Sequence, residues 1–452
     1  MDLVTSAIIA AIENGSRAFV REVVALSYTR LKTVISRKVA DPEPILEAIA
    51  SLELDPSSVS RQFALRDTLN GANVSNDIDV LMAAQTLLYQ IKPPPMVPVT
   101  PAAPPPAPAP PLTQAPAGDD GAAPAPNYAV VKVFFATDRN LTSSVLPAQK
   151  FGALRSELSY GSCEIGLPRD QRMGELEAPT LWRLEWRENP DRHVVLLDAK
   201  AQDKDLFLAA LSARIQRSGK KSAFLFVHGY NVTFEDAARR TGQMCYDLAF
   251  DGAPVFYSWP SQGEPSGYLV DEANIEWSQS NLTLFLLDFL DKSDAQHVYV
   301  IGHNMGNRAL THAVAAALAQ QPVMAQRITE IILTAPDIDA GVFKRDIAPA
   351  LAGARNPVTL YASSEDMALS ASKAMHGYPR AGDSGAGLLV VERVETIDAT
   401  GVDTGMLEHT YFAEKRSALS DIFDLIKNDA RPDQRFLEPV EVAAGRYWSF
   451  KK

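Results

Sequence analysis

Cysteine is nearly absent: of 452 residues only Cys163 and Cys245 carry a thiol. Two such positions build no disulfide framework and neither stands at metal-knuckle spacing, so both are expected as reduced, buried thiols of a cytoplasmic protein without metal or other cofactor. Positive charge is the minority, 43 Lys and Arg against 55 Asp and Glu, a net charge of −12. No global field draws a phosphate backbone, and nucleic acid is not expected as a partner. Long apolar runs are missing too. The opening MDLVTSAIIAAIENGS begins with an acid and reaches Glu13 too soon for a signal peptide or a spanning helix, so no transmembrane segment is expected. With 46% apolar and 22% charged residues, the chain can still bury a sizeable core.

What the chain has in excess is proline, 31 residues, of which fourteen fall between Pro93 and Pro126. Alanine and small polar residues fill the gaps, leaving nothing to pack. Residues 93–127 are therefore expected as an extended polyproline spacer, a reading that needs no PxxP-binding partner.

Residues 1–92 read as a helical module. Ile8, Ile12, Phe19, Val23, Leu26, Leu31 and Val34 recur at helical spacing through Met1 to Lys38, and further helices are expected over Pro44–Leu54, Ser57–Leu69 and Asp77–Ile91. Residues 1–40 hold six basic and three acidic groups, and 41–92 three basic and eight acidic. The asymmetry fits homotypic or adaptor docking through this module, and equally two solvated faces.

Beyond the spacer the pattern changes, and no internal repeat is visible. Short β-rich runs at Tyr128–Ala136, Ala223–Val227, Pro254–Tyr257, His297–Ile301, Ile328–Thr334, Pro357–Tyr361 and Leu388–Val394 are separated by helix-length stretches such as Phe234–Phe250 and Met305–Ala319. Alternation of this kind predicts an α/β domain over 128–430, a mostly parallel sheet with helices on both faces, followed by a C-terminal extension at 431–452.

The sharpest local signal is Gly302-His303-Asn304-Met305-Gly306, between the run ending at Gly302 and a helix opening at Met305 or Gly306. This is the setting of a nucleophile elbow, G-x-S-x-G, whose glycines make room for a turn that lifts its centre above the sheet. Here the centre is Asn304. An amide nitrogen is conjugated with its carbonyl and is a poor nucleophile, although asparagine tolerates the positive φ that such a turn demands.

Triad partners of an elbow follow in the order acid, then histidine. Asp366 stands just past the run ending near Ala362, and His409 in the loop after the next run; Asp337, after the preceding run, is the alternative acid. In those roles His409 is the general base and Asp366 fixes its tautomer. An oxyanion hole requires two backbone N–H groups, and Met305 and Tyr230 are the candidates. His228 precedes that turn, and it reads as structuring it or as lining the substrate side. Trp259, Tyr268, Asp271 and Trp277 are further substrate-side candidates, with ordinary core packing as the competing role. His303 is expected in elbow packing, His312 on a helix surface, and Arg308 in an ion pair.

VFFATDRN from Val133 to Asn140, FVHGYNVTFEDAARRT, FYSWPSQG with Tyr268 and Asp271, GHNMGNRAL, TAPDIDAGVF, LYASSEDMAL and His409 together resemble an uncharacterised bacterial hydrolase-like family of the alpha/beta-hydrolase superfamily. The resemblance spans about 128 to 427. It implies the alpha/beta-hydrolase fold, a serine-esterase type of site on positions 304, 366 and 409, and a small-molecule acyl or ester substrate. It also implies serine at 304, from which Asn304 departs. The helical module resembles small N-terminal adaptor domains of bacterial signalling and anti-phage proteins. Two functions follow: an acyl hydrolase whose nucleophile is replaced, or a pseudoenzyme that binds a ligand or partner.

Overall fold

A computed structural model describes residues 21–39, 41–55, 58–72, 128–168, 193–264, 267–401 and 418–451, with positions 4, 8, 74, 80, 84 and 87. The spacer 93–127 and His409 lie outside the described residues. The chain divides into two compact units, Met1–Ala125 and Pro126–Lys452.

In the first unit, α1 (Arg21–Lys38), α2 (Glu43–Leu54) and α3 (Val59–Gly71) share an apolar core with Val4, Ile8, Val74, Val80, Ala84 and Leu87. Leu31 and Ile35, Ile45, Ile49 and Leu52, and Leu65 and Leu69 are its helical contributions. Their spacing of three or four residues puts each set on one stripe. Of the helix expected over Met1–Lys38, the described continuous part is α1. Val80, Ala84 and Leu87 are helical and buried, within the stretch Asp77–Ile91 read as a helix.

The second unit is built on one eleven-stranded sheet. Its strands are β1 (Tyr128–Leu141), β2 (Phe151–Pro168), β3 (Val195–Gln202), β4 (Ser222–Val227), β5 (Ala253–Ser258), β6 (His297–His303), β7 (Ile328–Thr334), β8 (Val358–Ala362), β9 (Val394–Asp398), β10 (Leu437–Val442) and β11 (Gly445–Phe450). They lie in the order β10-β11-β9-β8-β7-β6-β4-β5-β1-β2-β3. Every neighbouring pair from β11 to β1 is parallel, and the outer pairs β10/β11, β1/β2 and β2/β3 are antiparallel. Every residue of β4, β5, β7 and β8 is buried, as expected of parallel strands covered on both faces.

Period-two alternation sorts the side chains of those strands between two cores. Ala223, Leu225 and Val227 face α4 (Lys204–Gln216), α6 (Tyr268–Lys292) and α7 (Gly306–Gln320), whereas Phe224 and Phe226 face α5 (Phe234–Asp247) and α9 (Ala418–Asn428). A further helix, α8 (Met367–His376), follows β8.

Three expectations need correction. The run Leu388–Val394 is not the strand; pairing begins at Val394, opposite Val358, because Arg393 takes a φ of +63° and turns the chain immediately before it. Residues 431–452 are no appendage, since β10 and β11 extend the sheet beyond β9. The helix after β4 ends at Asp247, with Ala249 at φ +42°, and does not continue to Phe250. Cys163 and Cys245 are free and buried, as read from their number and spacing.

Candidate active site

The parallel strands β4, β5, β6, β7 and β8 all end on one side of the sheet, and Tyr230, Trp259, Asn304, Asp337 and Asp366 follow those ends in turn. β6 runs through His303, one residue past the expected end, pairing with Thr334 of β7. Asn304 then takes a φ of +46°, and α7 opens at Gly306. The turn is pinned on all sides: Asn304 N donates to Thr334 O at 3.0 Å, Asn307 Nδ2 to Asn304 O at 3.0 Å and to Thr334 O at 3.1 Å, and Asp337 N to Asn304 O at 3.2 Å. An asparagine in the left-handed region is several-fold commoner than most residues, so the backbone carries it without unusual strain.

Glycine is required here by crowding. A Cβ on Gly302 would lie 2.2 Å from Asn307 Oδ1, and one on Gly306 would lie 2.2 Å from His228 O and 2.8 Å from Val227 O. A backbone carbonyl cannot swing aside, so Gly306→Ala is expected to cost about 2–3 kcal/mol. Urea unfolding measures it, with Gly353→Ala as control, since an added methyl at Gly353 has nothing within 4 Å.

The loop after β4 lies directly on this elbow. A Cβ on Gly229 would sit 2.9 Å from Asn304 Cβ and 2.7 Å from His303 Nδ1. This contact brings the Tyr230 peptide beside the turn whose next residue, Met305, is the N-cap of α7. The positive end of a helix therefore backs the space above Asn304. Asn304 is 3% exposed, and its Oδ1 has no hydrogen-bond partner among the described residues.

His228 and Trp259 do not line a cleft. Both are fully buried, stacked with ring centroids 5.1 Å apart at 15°. Trp259 Nε1 donates to His228 O at 2.8 Å, and both His228 nitrogens have partners within the protein. Burial, and after it the charge of Arg139, push His228 far below its ordinary value and keep it neutral. His303 is likewise pushed down, to about 3, by burial and then by Arg240. The half-buried Trp277 has the Arg155 guanidinium over its ring at 5.5 Å.

Asp271 is also internal. Its carboxylate accepts from Ser261 Oγ at 2.6 Å, Gln262 N at 2.7 Å and Asn231 N at 3.2 Å, tying the loops after β4 and β5 together. Burial raises its carboxyl to about 6 against the pull of those donors. Tyr268, 7% exposed, packs edge-on against Tyr230 at 5.3 Å and donates to Asp337 Oδ2 at 2.6 Å. Both residues thus support the loops from behind instead of facing open solvent.

Of the two candidate acids, Asp337 is fully buried and saturated. Around it stand Tyr268, Ser372 Oγ at 2.5 Å, Arg308 Nη2 at 3.2 Å and Arg380 Nε at 3.0 Å. Arg308 also pairs with Glu272 at 2.7 Å, the structural role read for it, and Glu272 holds His376 Nε2 at 2.9 Å. No carboxylate oxygen of Asp337 is left to orient a histidine. Asp366 stands four residues beyond β8, partly buried, where its Oδ1 accepts from Leu369 N at 2.9 Å and caps α8. β8 and β6 flank β7, so the acid loop and the elbow leave the sheet two strand spacings apart, about 10 Å.

Arg139, Ser258, Asn307, Ser372 and Arg380 carry this architecture and were not singled out from sequence. Arg139 and Ser258 stand 119 residues apart along the chain, and no local pattern announces such a pair.

Residues 203–427 match a family described as an alpha/beta hydrolase of unknown function, DUF900, and residues 1–97 match the Het-E N-terminal domain. No curated protein matches the chain. Among solved structures, an inhibited esterase B from Lactobacillus rhamnosis is 12% identical, covering 60% of this chain and 76% of that one at a TM-score of 0.25. Aspergillus fumigatus lipase B is 13% identical, covering 88% and 77% at a TM-score of 0.27. With strand order, elbow and family match in agreement, the chain joins a Het-E N-terminal domain to an alpha/beta hydrolase domain of the DUF900 family.

Proposed function

We propose that the hydrolase domain is a serine-esterase type of scaffold for carboxylic esters or related acyl substrates, with Asn304 at the nucleophile position. In this reading Asp366 and His409 are the acid and base, the amides of Tyr230 and Met305 form the oxyanion hole, and the native chain binds acyl ligands without turning them over. The observation that carries it is Asn304 itself, at φ +46° between β6 and α7 with the Gly229 loop against it. An intact turn with an unreactive centre fits lost chemistry on a kept scaffold. Conversion of Asn304 to serine tests it: short-chain p-nitrophenyl ester hydrolysis is expected from the variant and none from the native chain.

The helical unit supports a second function, assembly through residues 1–92. Its stripe of Ile and Leu closes its own core, while Leu54 and Phe63 remain 82% and 48% exposed. Light scattering is expected to give an oligomer for the full chain and a monomer for a chain starting at Tyr128; the same number of protomers in both would remove the assembly role.

A further inference from the structure

The hydrogen bonds behind the oxyanion loop run in one direction. Arg139, at the end of β1, is 2% exposed and bonds to oxygens of uncharged groups: Nε to Ser258 Oγ at 2.8 Å, Nη2 to Val232 O at 2.7 Å, and Nη1 to Ser261 O at 2.9 Å and Gly152 O at 3.1 Å. Ser258 Oγ stands 3.2 Å from His228 Nε2, and His228 Nδ1 stands 2.8 Å from Gly229 O. A carbonyl oxygen only accepts, so Nδ1 carries the ring's hydrogen. A neutral imidazole has one N–H, which leaves Nε2 as an acceptor for the Ser258 hydroxyl. Because Ser258 Oγ already accepts from Arg139 Nε, its own hydrogen is free to turn toward the ring. Arg139, Ser258 and His228 thereby fix one tautomer.

The end of this relay is a peptide group. Gly229 C=O and Tyr230 N–H share a planar trans amide and point to opposite sides, so a carbonyl held by His228 sets the direction of the amide. We propose that His228 is a positioning residue, which orients the Tyr230 amide toward the reacting carbonyl oxygen through the Arg139–Ser258–His228–Gly229 hydrogen-bond chain. Its catalytic consequence rests on the hydrolase reading above; its geometry does not.

Two measurements test it. In the full chain labelled with ¹⁵N-histidine, long-range ¹H–¹⁵N correlation is expected to show His228 as the Nδ1–H tautomer, unchanged between about pH 5.5 and 8; an Nε2–H ring, or one that titrates there, overturns the proposal. In the Asn304→Ser chain, His228→Leu is expected to lower kcat on the order of 100-fold with KM little changed, the loss typical of one oxyanion donor. His228→Asn, which keeps an N–H near Gly229 O, is expected to recover much of it. Equal kcat in the two variants, or a loss confined to KM, contradicts the positioning role. Should Asn304→Ser turn over no ester, the hydrolase reading fails alone. The positioning claim is then decided by the tautomer and the Tyr230 amide resonance, which His228→Leu must displace; an unmoved resonance overturns it.

Discussion

Asn304→Ser is expected to raise ester hydrolysis from background by on the order of 10⁵- to 10⁶-fold, the factor by which loss of a serine nucleophile usually lowers kcat. The native amide has no lone pair free to attack, whereas a serine hydroxyl there would stand at the start of α7 beside the Met305 amide and the Gly229 loop. Little else has to move. Serine accepts φ +46° less readily than asparagine, so the variant should lose about 1 kcal/mol of stability. Asn304→Ala serves as control and should remain at background. Steady-state kinetics over acyl chains of increasing length would check the rate and report the preferred acyl group together.

Asp337→Ala is the second large effect, and it falls on stability. Asp337 and Arg380 are 0% and 4% exposed, and Arg308 is 15% exposed; removing the carboxylate leaves two guanidinium groups facing each other away from water. Breaking one side of such a cluster costs about 3–5 kcal/mol. For a domain of this size that corresponds to roughly 10 °C in Tm, readable by thermal unfolding. Asp366→Asn should behave oppositely. Asparagine caps a helix as well as aspartate does, so α8 and the Tm should change little, while the activity of the Asn304→Ser chain falls by on the order of 10⁴-fold through loss of the base's correct tautomer. The reverse pattern, with Asp337 controlling rate and Asp366 controlling stability, would exchange their roles.

The parts of the fold that sequence disclosed are those with one-sided or saturated burial. β4, β5, β7 and β8 are mostly apolar runs, with Glu330 of β7 the one charged residue among them, because both faces are covered, and each was visible within one or two residues of its ends. β2 and β3 were invisible for the opposite reason. FGALRSELSYGSCEIGLP mixes Gly, Ser and charge along strands that lie toward the antiparallel edge and are half exposed. β10 and β11 are harder still, since LEPVEV and GRYWSF bury almost nothing apart from Leu437, and Pro439 with Glu438 and Glu441 suits an edge that must not recruit another strand.

At the site, glycine spacing made the elbow legible, because crowding by Asn307 Oδ1 and His228 O leaves no other residue at 302 and 306. The supporting set was not legible. Tyr268, Asp271 and Trp259 attract notice as aromatic or acidic residues near a turn, but only the folded arrangement separates a wall that meets ligand from a brace behind the loop. Arg139 sits in an ordinary strand sequence, and its value comes from Val232, Ser258 and Ser261, which the chain brings to it from elsewhere.

The central claim is that the elbow is whole and lacks only its nucleophile. The most direct test treats native and Asn304→Ser chains with a fluorophosphonate and maps the adduct by mass spectrometry of the intact protein and its peptides. The account predicts one stoichiometric adduct on position 304 of the variant and none on the native chain. A serine at 304 that stays unlabelled in a folded variant, or an adduct that forms on the native chain, would contradict it.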